Sequence, residues 1–502
     1  MNRLPPEIVS HIAQWALQDG LDARPIIPLT HVCKYWRDSI VSAPKNWTRI
    51  FNGVRGLAEL SLERAKAAPL DVFLMFDLER ELFDSDSDFG CEFTFDFLLP
   101  HMHNIVSLNC AQFTSIEELT QTLPNFPKSM PNLQSLTLTG HGLKADQSRG
   151  IDLDFSTHTT LRKLSLTRFP LLPSLLGLRT LTELNLYNPS INLHVDTVLT
   201  FLEENQSLKR ATLGIDFGED SLRRSRRRTP ITSSLQSLSI CCYDEGDVEP
   251  LISNITLRKG AALEIVDYES RWLTRILSGV STTHLPGLSS PFSMEYQLSP
   301  REIRLLGQDG GFSYIDNLIA GPAGRPPFGE EFPLLPLASI RELRLKLCES
   351  WVLQQSRLSS FPSQFRLSSF PSLEVLSVDG HDVGECSTDG EVSTDEDSTD
   401  EGSTPNISGP IGLSLSPLLQ ELASSPSLKI LAFLDCSITE DFMAKLARVA
   451  LDRRNRTSSS LRRVVIMNSK GSFPSAGSIK RLRKYVPVVE VLEGKELPKD
   501  LL

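Results

Sequence analysis

Residues 161–187 read LRKLSLTRFPLLPSLLGLRTLTELNLY, and they contain one short pattern twice. In each copy an apolar residue is followed by two variable residues and then by two apolar residues with one variable residue between them. The copies begin at Leu161 and Leu181. The alternation of the last two apolar positions is typical of a short strand with one buried face. Each copy therefore predicts a strand whose alternate leucines are buried and whose intervening side chains are exposed.

The same pattern recurs along most of the chain. Its copies begin at Ile105, Leu133, Leu161, Leu181, Leu208, Leu235, Leu263, Ile340, Leu373, Leu428, Leu461 and, weakly, Val488. Several of the intervals are long enough for a helix, as at residues 195–204 and 438–451, where apolar residues have helical spacing. One strand and one helix in about 20 to 29 residues resembles an irregular leucine-rich repeat, in which neighbouring units stack. The alternative is a set of unrelated buried strands.

The predicted fold class is α/β, with a short helical N-terminal module followed by a solenoid, a curved parallel sheet backed by helices. The predicted parts are the helical module at 1–50, a linker and cap at 51–100, repeats at 101–379, an acidic insertion at 380–412, and C-terminal repeats with a cap at 413–502. Within the repeats, residues 271–339 lack a clean copy of the pattern and are interpreted as degenerate repeats with a loop. Residues 380–412 are rich in Ser, Thr, Asp, Glu and Gly, so they are predicted to be disordered.

Charge and composition limit the classes of partner. The 502 residues carry a net charge of −11, but ten acidic residues and no Lys or Arg lie between residues 379 and 401, so the rest of the chain carries only −1. We therefore expect neither a nucleic-acid nor a membrane partner. The eight cysteines form no regular framework, and no apolar stretch approaches the ~20 residues of a membrane span. These features predict an intracellular protein, cytoplasmic, nuclear or both.

The first 50 residues predict a small helical module. The stretch LPPE at residues 4–7 opens a first helix, because Pro is tolerated in the first turn and Glu suits the positive end of the helix dipole. A second apolar series from Leu29 to Ile40 also has helical spacing, and Pro44 ends it. So small a module cannot bury all of its large apolar side chains, so we expect it to present an apolar face to a partner.

This module resembles an F-box, whose pattern runs LPxEI, then VCxxW on a second helix, and then a Pro and a Trp. The matching residues are Leu4, Pro5, Glu7, Ile8, Ile12, Leu29, Val32, Cys33, Trp36, Arg37, Ile40, Pro44 and Trp47. The connection at residues 17–28 is longer than the usual one in this family. With its repeats, the chain resembles the F-box-like proteins with divergent leucine-rich repeats that are abundant in mushroom-forming fungi.

The resemblance implies a substrate-recognition subunit of a Skp-cullin-F-box ubiquitin ligase, which docks on the Skp adaptor, and through it a cullin, and holds an unknown protein target. The implied adaptor contacts are Leu4, Pro5, Pro6, Glu7, Ile8, Ile12, Val32, Trp36 and Trp47, and for each of them packing inside the module is the alternative. Strand alternation suggests the target contacts Lys163, Glu183, Asn185, Tyr187 and Arg210. The alternative function is a leucine-rich-repeat interaction scaffold without ligase association.

Other chemistry has little support in the sequence. Hydrolase, nucleotide and metalloprotease motifs are absent, so we predict no catalytic residues, no cofactor and no metal. His101 and His103 are possible metal ligands, but a pair of ordinary histidines is the favoured interpretation. The five arginines within residues 223–228 are interpreted as a solvated loop, with a nuclear import signal or an anion-binding patch as alternatives. The acidic insertion contains sites that suit an acidophilic kinase.

Overall fold

The computed structural model of the protein describes residues 4–17, 23–76, 96–113, 121, 126, 128–140, 155, 158–169, 177–187, 195–214, 231–242, 249–267, 285, 288, 291–298, 301–307, 310–316, 335–346, 366–380, 416–436, 438–456, 460–467 and 473–492. The chain divides into two compact units, Met1–Arg258 and Lys259–Leu502. Each contains a large, mostly parallel sheet, and the first also holds the N-terminal helices. The α/β class predicted from the sequence is confirmed.

The N-terminal helices form a small core of their own. They are α1 (Pro6–Ala16), α2 (Ile27–Thr30) and α3 (Lys34–Ser42), with 3₁₀ turns at Arg24–Ile26 and Pro44–Trp47. Proline stands in the first turn of α1, of α2 and of both 3₁₀ turns, where its missing N–H costs nothing. Ile26, Ile40 and Trp47 are buried together with the small residues of α1.

The first unit continues as a parallel sheet with helices between some of its strands. Its strands are β1 (Arg49–Phe51), β2 (Leu70–Met75), β3 (Ile105–Phe113), β4 (Ser135–Gly140), β5 (Lys163–Thr167), β6 (Glu183–Tyr187), β7 (Arg210–Gly214), β8 (Ile231–Ser233), β9 (Ser237–Cys242) and β10 (Ile255–Leu257). Its helices are α4 (Arg55–Ala65), α5 (Val195–Glu204) and α6 (Glu249–Ser253). Strands β1 to β7 pair in chain order, and β7 pairs with β9. Strands β8 and β10 form a separate pair.

Corresponding residues of successive copies of the pattern pair with each other across adjacent strands. The buried row Leu136, Leu164, Leu184, Ala211 and Leu238 runs across five adjacent strands. The register predicted from residues 161–187 is therefore confirmed in the buried leucines. Helix α5 has the bounds predicted for it, Val195–Glu204.

A row of hydroxyl groups adds to this stacking. In four copies the residue before the first apolar position is Ser or Thr, and its hydroxyl donates to the carbonyl oxygen of the first apolar residue of the previous copy. The bonds are Thr160 to Leu133 (2.9 Å), Thr180 to Leu161 (2.8 Å), Ser207 to Leu181 (3.0 Å) and Ser234 to Leu208 (3.1 Å). These bonds satisfy buried carbonyl groups and connect neighbouring copies. This Ser/Thr position is visible in the amino-acid sequence but was not among the predictions.

The second unit has a more complex sheet. Its strands are β11 (Ala261–Asp267), β12 (Pro291–Leu298), β13 (Arg301–Gly307), β14 (Gly310–Asp316), β15 (Glu342–Lys346), β16 (Val375–Asp379), β17 (Ile430–Leu434), β18 (Arg463–Met467) and β19 (Val488–Leu492). Its helices are α7 (Ser416–Ser424), α8 (Glu440–Arg456) and α9 (Ala476–Arg483), and 3₁₀ turns lie at Leu337–Ser339 and Leu367–Ser369. Strands β15 to β19 are parallel and pair in chain order.

Residues 271–339 contain an antiparallel meander that the sequence analysis did not predict. Strand β13 pairs antiparallel with both β12 and β14, and the meander joins the parallel strands β11 and β15. Gly310 allows the β11–β14 pairing, because its φ of +140° suits glycine and a Cβ there would clash with the carbonyl oxygen of Ala261. The interpretation of this segment as degenerate repeats with a loop misses these strands.

Two copies of the pattern were placed in the wrong register. In β11 the buried residues are Ala261, Leu263 and Ile265, so Leu263 lies inside the strand rather than before it. In β19 the buried residue is Val489, which pairs with Val464, and Val488 is exposed. Both errors have one cause: runs of apolar residues in these strands match the pattern in more than one register.

Among the described residues, no helix has both the length and the hydropathy that a membrane span requires.

Candidate functional site

Helix α1 has its small apolar residues inside and its large ones outside. Val9 and Ala13 are buried against the rest of the N-terminal module. Ile8, Ile12 and Trp15 recur at helical spacing and lie on another face of the helix, where Ile8 is 46% and Trp15 71% exposed. A surface tryptophan beside an exposed isoleucine gains nothing in the free protein, so this face is suited to a partner.

Three further apolar residues of the N-terminal module are exposed. Leu4 is 43%, Ile27 38% and Val32 60% exposed. The Tyr35 hydroxyl donates to the carbonyl oxygen of Leu4 at 2.5 Å, which holds the segment before α1 against α3. We call Leu4, Ile8, Trp15, Ile27 and Val32 the N-terminal apolar face.

The remaining predicted adaptor contacts divide between the surface and the core. Pro5, Pro6 and Glu7 are exposed at the start of α1. Ile12 and Trp36 are half-buried. Trp15 and Ile27 were not among the predicted contacts, although the spacing of Trp15 from Ile8 and Ile12 was a usable signal.

The second predicted helix is broken. Helix α2 ends at Thr30 and α3 begins at Lys34, because Cys33 between them is extended, with φ −164° and ψ 169°. The Arg37 side chain donates to the carbonyl oxygen of Thr30 at 3.1 Å and so spans the break. The break leaves Val32 and Cys33 exposed, whereas Ile40 on the continuing helix is buried. A single helix from Leu29 to Ile40 is therefore wrong.

Trp47 lies in the core of the module. It is 1% exposed, its ring N–H donates to the carbonyl oxygen of Ile40 at 3.1 Å, and the Arg64 guanidinium lies 4.2 Å from its ring centre. Asn46 beside it is also buried and bonds the same carbonyl oxygen at 3.2 Å. Trp47 therefore packs inside the module, the alternative given for each implied contact, and from there it would support an adaptor contact by holding the end of α3 in place.

The five predicted target contacts lie together on strands β5, β6 and β7. Lys163, Glu183 and Arg210 are register neighbours. The Lys163 ammonium lies 2.9 Å and the Arg210 guanidinium 3.3 Å from the two oxygens of the Glu183 carboxylate. Asn185 and Tyr187 follow on β6, both exposed. Lys163 is exposed as predicted, and Glu183 is half-buried between its two cations.

This outward side of the sheet is polar. A row of small side chains runs beside the ion pairs across the adjacent strands: Asn109, Thr137, Ser165, Asn185, Thr212 and Ser239. Two cations share one carboxylate, and solvent weakens such surface pairs, so a ligand can compete for either cation at small cost. The surface offers hydrogen bonds and exchangeable charges, which suits binding.

The described residues hold no group of three or more His, Cys, Asp or Glu residues placed to bind a metal ion. Burial lowers the pKa of His101, and the neighbouring His103 lowers it further, so His101 is neutral at pH 7. The arginines at 223–228 and the acidic insertion, apart from Gly380, with its kinase sites at 388–398, lie outside the described residues.

The family comparison covers the same part of the chain as the N-terminal apolar face. Residues 1–53 match the F-box-like family model. The match contains α1, α2, α3 and the Trp47 turn. A comparison with curated proteins finds no match to the chain. The chain therefore carries an F-box-like domain at residues 1–53, and domains of this type generally bind Skp-type adaptors.

Proposed function

We propose that this protein is the substrate-recognition subunit of a Skp-cullin-F-box ubiquitin ligase. The observation that carries the proposal is the N-terminal apolar face, which lies entirely within the F-box-like domain. In this role the chain supplies binding energy and position, and the transfer of ubiquitin takes place on other subunits. The proposal includes a cytoplasmic or nuclear location, where such ligases act.

The adaptor would cover the large side chains that the module leaves exposed. Ile8 and Trp15 lie on α1 and Val32 at the break between α2 and α3, and all three are exposed, as Leu4 is. Aromatic and aliphatic anchors of this kind dominate binding energy when a partner excludes water from them. Glu7 and the two prolines follow Leu4 in the chain, and Trp47 supports the module from the core.

The target would bind the outward side of β5 to β7. The exposed positions there offer Lys163 and Arg210 to acidic groups, Asn185 to a peptide backbone, and Tyr187 as an aromatic anchor. In this proposal the strand-and-helix units are irregular leucine-rich repeats, as in the F-box-like proteins of mushroom-forming fungi. Their regular register and their hydroxyl row support it.

The test is co-purification with the Skp adaptor. Leu4→Ala combined with Pro5→Ala removes two exposed side chains and keeps the Leu4 carbonyl oxygen that Tyr35 bonds. We expect the wild-type chain to bring down the adaptor and a cullin, and the double variant to lose both with an unchanged melting temperature. Failure of the wild-type chain to bind any Skp adaptor would favour the alternative, an interaction scaffold with no ligase association.

A further inference from the structure

The charge of the chain is unevenly distributed outside the acidic insertion as well. Residues 440–492 contain twelve Lys and Arg and four Asp and Glu, a net charge of +8, so the other 449 residues together carry −19. The helices and strands of this segment are α8, β18, α9 and β19. The small net charge found outside residues 379–401 therefore conceals a strongly basic segment of the second unit.

Helices α8 and α9 lie side by side and run in the same direction. At their starts the Ser475 backbone N–H donates to the Glu440 carboxylate at 2.7 Å, and the Ser478 hydroxyl donates to the same carboxylate. At their ends the Arg454 guanidinium donates to the carbonyl oxygen of Lys484 at 3.0 Å. The solvent-facing sides of the two helices are therefore neighbours.

The exposed side chains of these two helices are mainly basic. Their exposed acids, Glu440 and Asp441, lie in the first turn of α8, where they suit the positive end of the helix dipole. Asp441 also pairs with Lys445 at 2.6 Å. Among the described side chains, the other exposed charges on α8, on α9 and at the residue after α9 are positive: Arg448, Arg454, Lys480, Arg481, Arg483 and Lys484. We call these six residues the α8–α9 basic face.

Helix dipoles account for only part of this arrangement. Cations stabilise the end of a helix, and Lys480, Arg481 and Arg483 lie in the last turn of α9. The dipole places only about half a negative charge there, so these cations leave an excess of positive charge. Arg448 lies in the middle of α8, beyond the reach of the dipole at either end. Such an excess on adjacent helices is suited to a negatively charged partner.

We propose that the α8–α9 basic face binds an acidic segment of another protein. The complementary charge selects the partner, and the three or more arginines of the face can each hold a carboxylate through two hydrogen bonds. Helix α8, with its 17 residues, is about 25 Å long, and an extended segment of about eight residues spans the same distance. A short run of Asp and Glu therefore fits the length of the face.

Other polyanions suit this face less well. Single-stranded nucleic acids bind through exposed aromatic rings that stack on the bases, and on the described residues of α8 and α9 no aromatic side chain is exposed. A membrane or a nucleic-acid duplex extends beyond two helices, so the charge of −19 on the other residues would repel it. A short acidic segment can lie on the basic face alone.

Fluorescence anisotropy of the full chain with a labelled oligo-glutamate peptide of about eight residues tests the proposal. We expect binding that weakens as salt is added, because salt screens exposed charges. The variant Arg448→Gln/Arg481→Gln/Lys484→Gln should weaken it about 10-fold. Its melting temperature should stay unchanged, because all three side chains are exposed. The matched control removes two arginines and a lysine that are exposed in the first unit and should keep the Kd: Arg179→Gln/Arg258→Gln/Lys209→Gln.

Equal losses in the two triple variants, or no binding of the peptide by any form of the chain, would overturn the proposal. So would tighter binding of phosphatidylserine vesicles, or of an RNA duplex with the same charge as the peptide. Binding that appears only after residues 385–404 are deleted would assign the face to the chain's own acidic stretch and overturn a partner in another protein. The basic face shares no residue with the N-terminal apolar face or with β5 to β7, so this inference does not rest on the proposed function.

Discussion

Trp15 is the sharpest test of the N-terminal apolar face. A buried tryptophan covers up to ~250 Å², and the 71% of Trp15 that is exposed therefore offers about 175 Å² to a partner. At ~25 cal/mol per Å² this area is worth at most ~4 kcal/mol on binding. Trp15→Ala should therefore weaken adaptor binding by about 2 to 4 kcal/mol, a rise in Kd of about 30- to 1000-fold.

The same substitution should change folding much less. Only the covered fraction of Trp15 contributes to the free energy of unfolding, which limits the loss to about 2 kcal/mol. Trp47→Ala is the contrasting variant, because Trp47 is 1% exposed and its truncation should cost about 3 to 5 kcal/mol of stability. Leu306→Ala, which removes an exposed leucine from the second unit, is the surface control and should leave the Kd unchanged.

Titration calorimetry with purified Skp adaptor gives the Kd, and thermal unfolding gives the stability of each variant. A change in Kd of less than about threefold for Trp15→Ala, with the wild-type chain binding, would refute the assignment of this face. Equal losses of binding for Trp15→Ala and Leu306→Ala would refute it as well, because the effect would then be unspecific.

Three further predictions concern other described residues. Cys33 is exposed, whereas Cys436 is buried, and burial together with the Asp379 carboxylate raises the pKa of the Cys436 thiol to about 12. Iodoacetamide at pH 7.5 should therefore modify Cys33 and spare Cys436, as peptide mapping would show. Bound adaptor should protect Cys33 from the reagent. The buried Arg453 guanidinium donates to the carbonyl oxygens of Leu422, Ser425 and Leu428 at 2.8, 2.5 and 2.8 Å. Arg453→Met should therefore lower the free energy of unfolding, measured in urea, by about 3 kcal/mol. A loss below about 1 kcal/mol would contradict the role of these bonds. Hydrogen bonds from Ser478 and Ser475 lower the pKa of Glu440 below its ordinary 4.5, so its stabilisation is complete above that value and disappears as the pH falls through the lowered pKa. Glu440→Gln should accordingly lower the melting temperature at pH 7, and its difference from the wild-type chain should shrink as the pH falls below 4.5.

The sequence alone was sufficient for the strands of the repeats. Short patterns such as those at Leu161 and Leu181 contain both the strand and its buried side, because alternation is a local property of the extended chain. The pattern failed where apolar residues occupy both faces, as in β11 and β19, since alternation is then lost and several registers fit equally well. The N-terminal module was also visible, because its proline-led helix start and helical spacing are local signals.

Only the tertiary structure decided which apolar residues are covered. Helical spacing identifies Ile8, Ile12 and Trp15 as a stripe, but whether a neighbour packs on that stripe depends on distant residues, and here the module packs on Val9 and Ala13 instead. In the sequence Trp47 is a large aromatic residue of the same module and cannot be told apart from an exposed anchor. In the structure it is buried, and its ring N–H donates to the carbonyl oxygen of Ile40 while the Arg64 guanidinium lies over its ring.

The meander of strands β12 to β14 likewise could not be predicted from the local sequence. Its antiparallel pairing depends on contacts between separate strands, for which a recurring local pattern contains no information. The burial of both faces of β17 and β18 was visible in the sequence only as a run of apolar residues, which predicts burial on both sides without showing what covers them. Local sequence determined the regularly alternating parallel strands and their buried sides, whereas the meander and the choice of which surface stays exposed arose from packing between residues far apart in the chain.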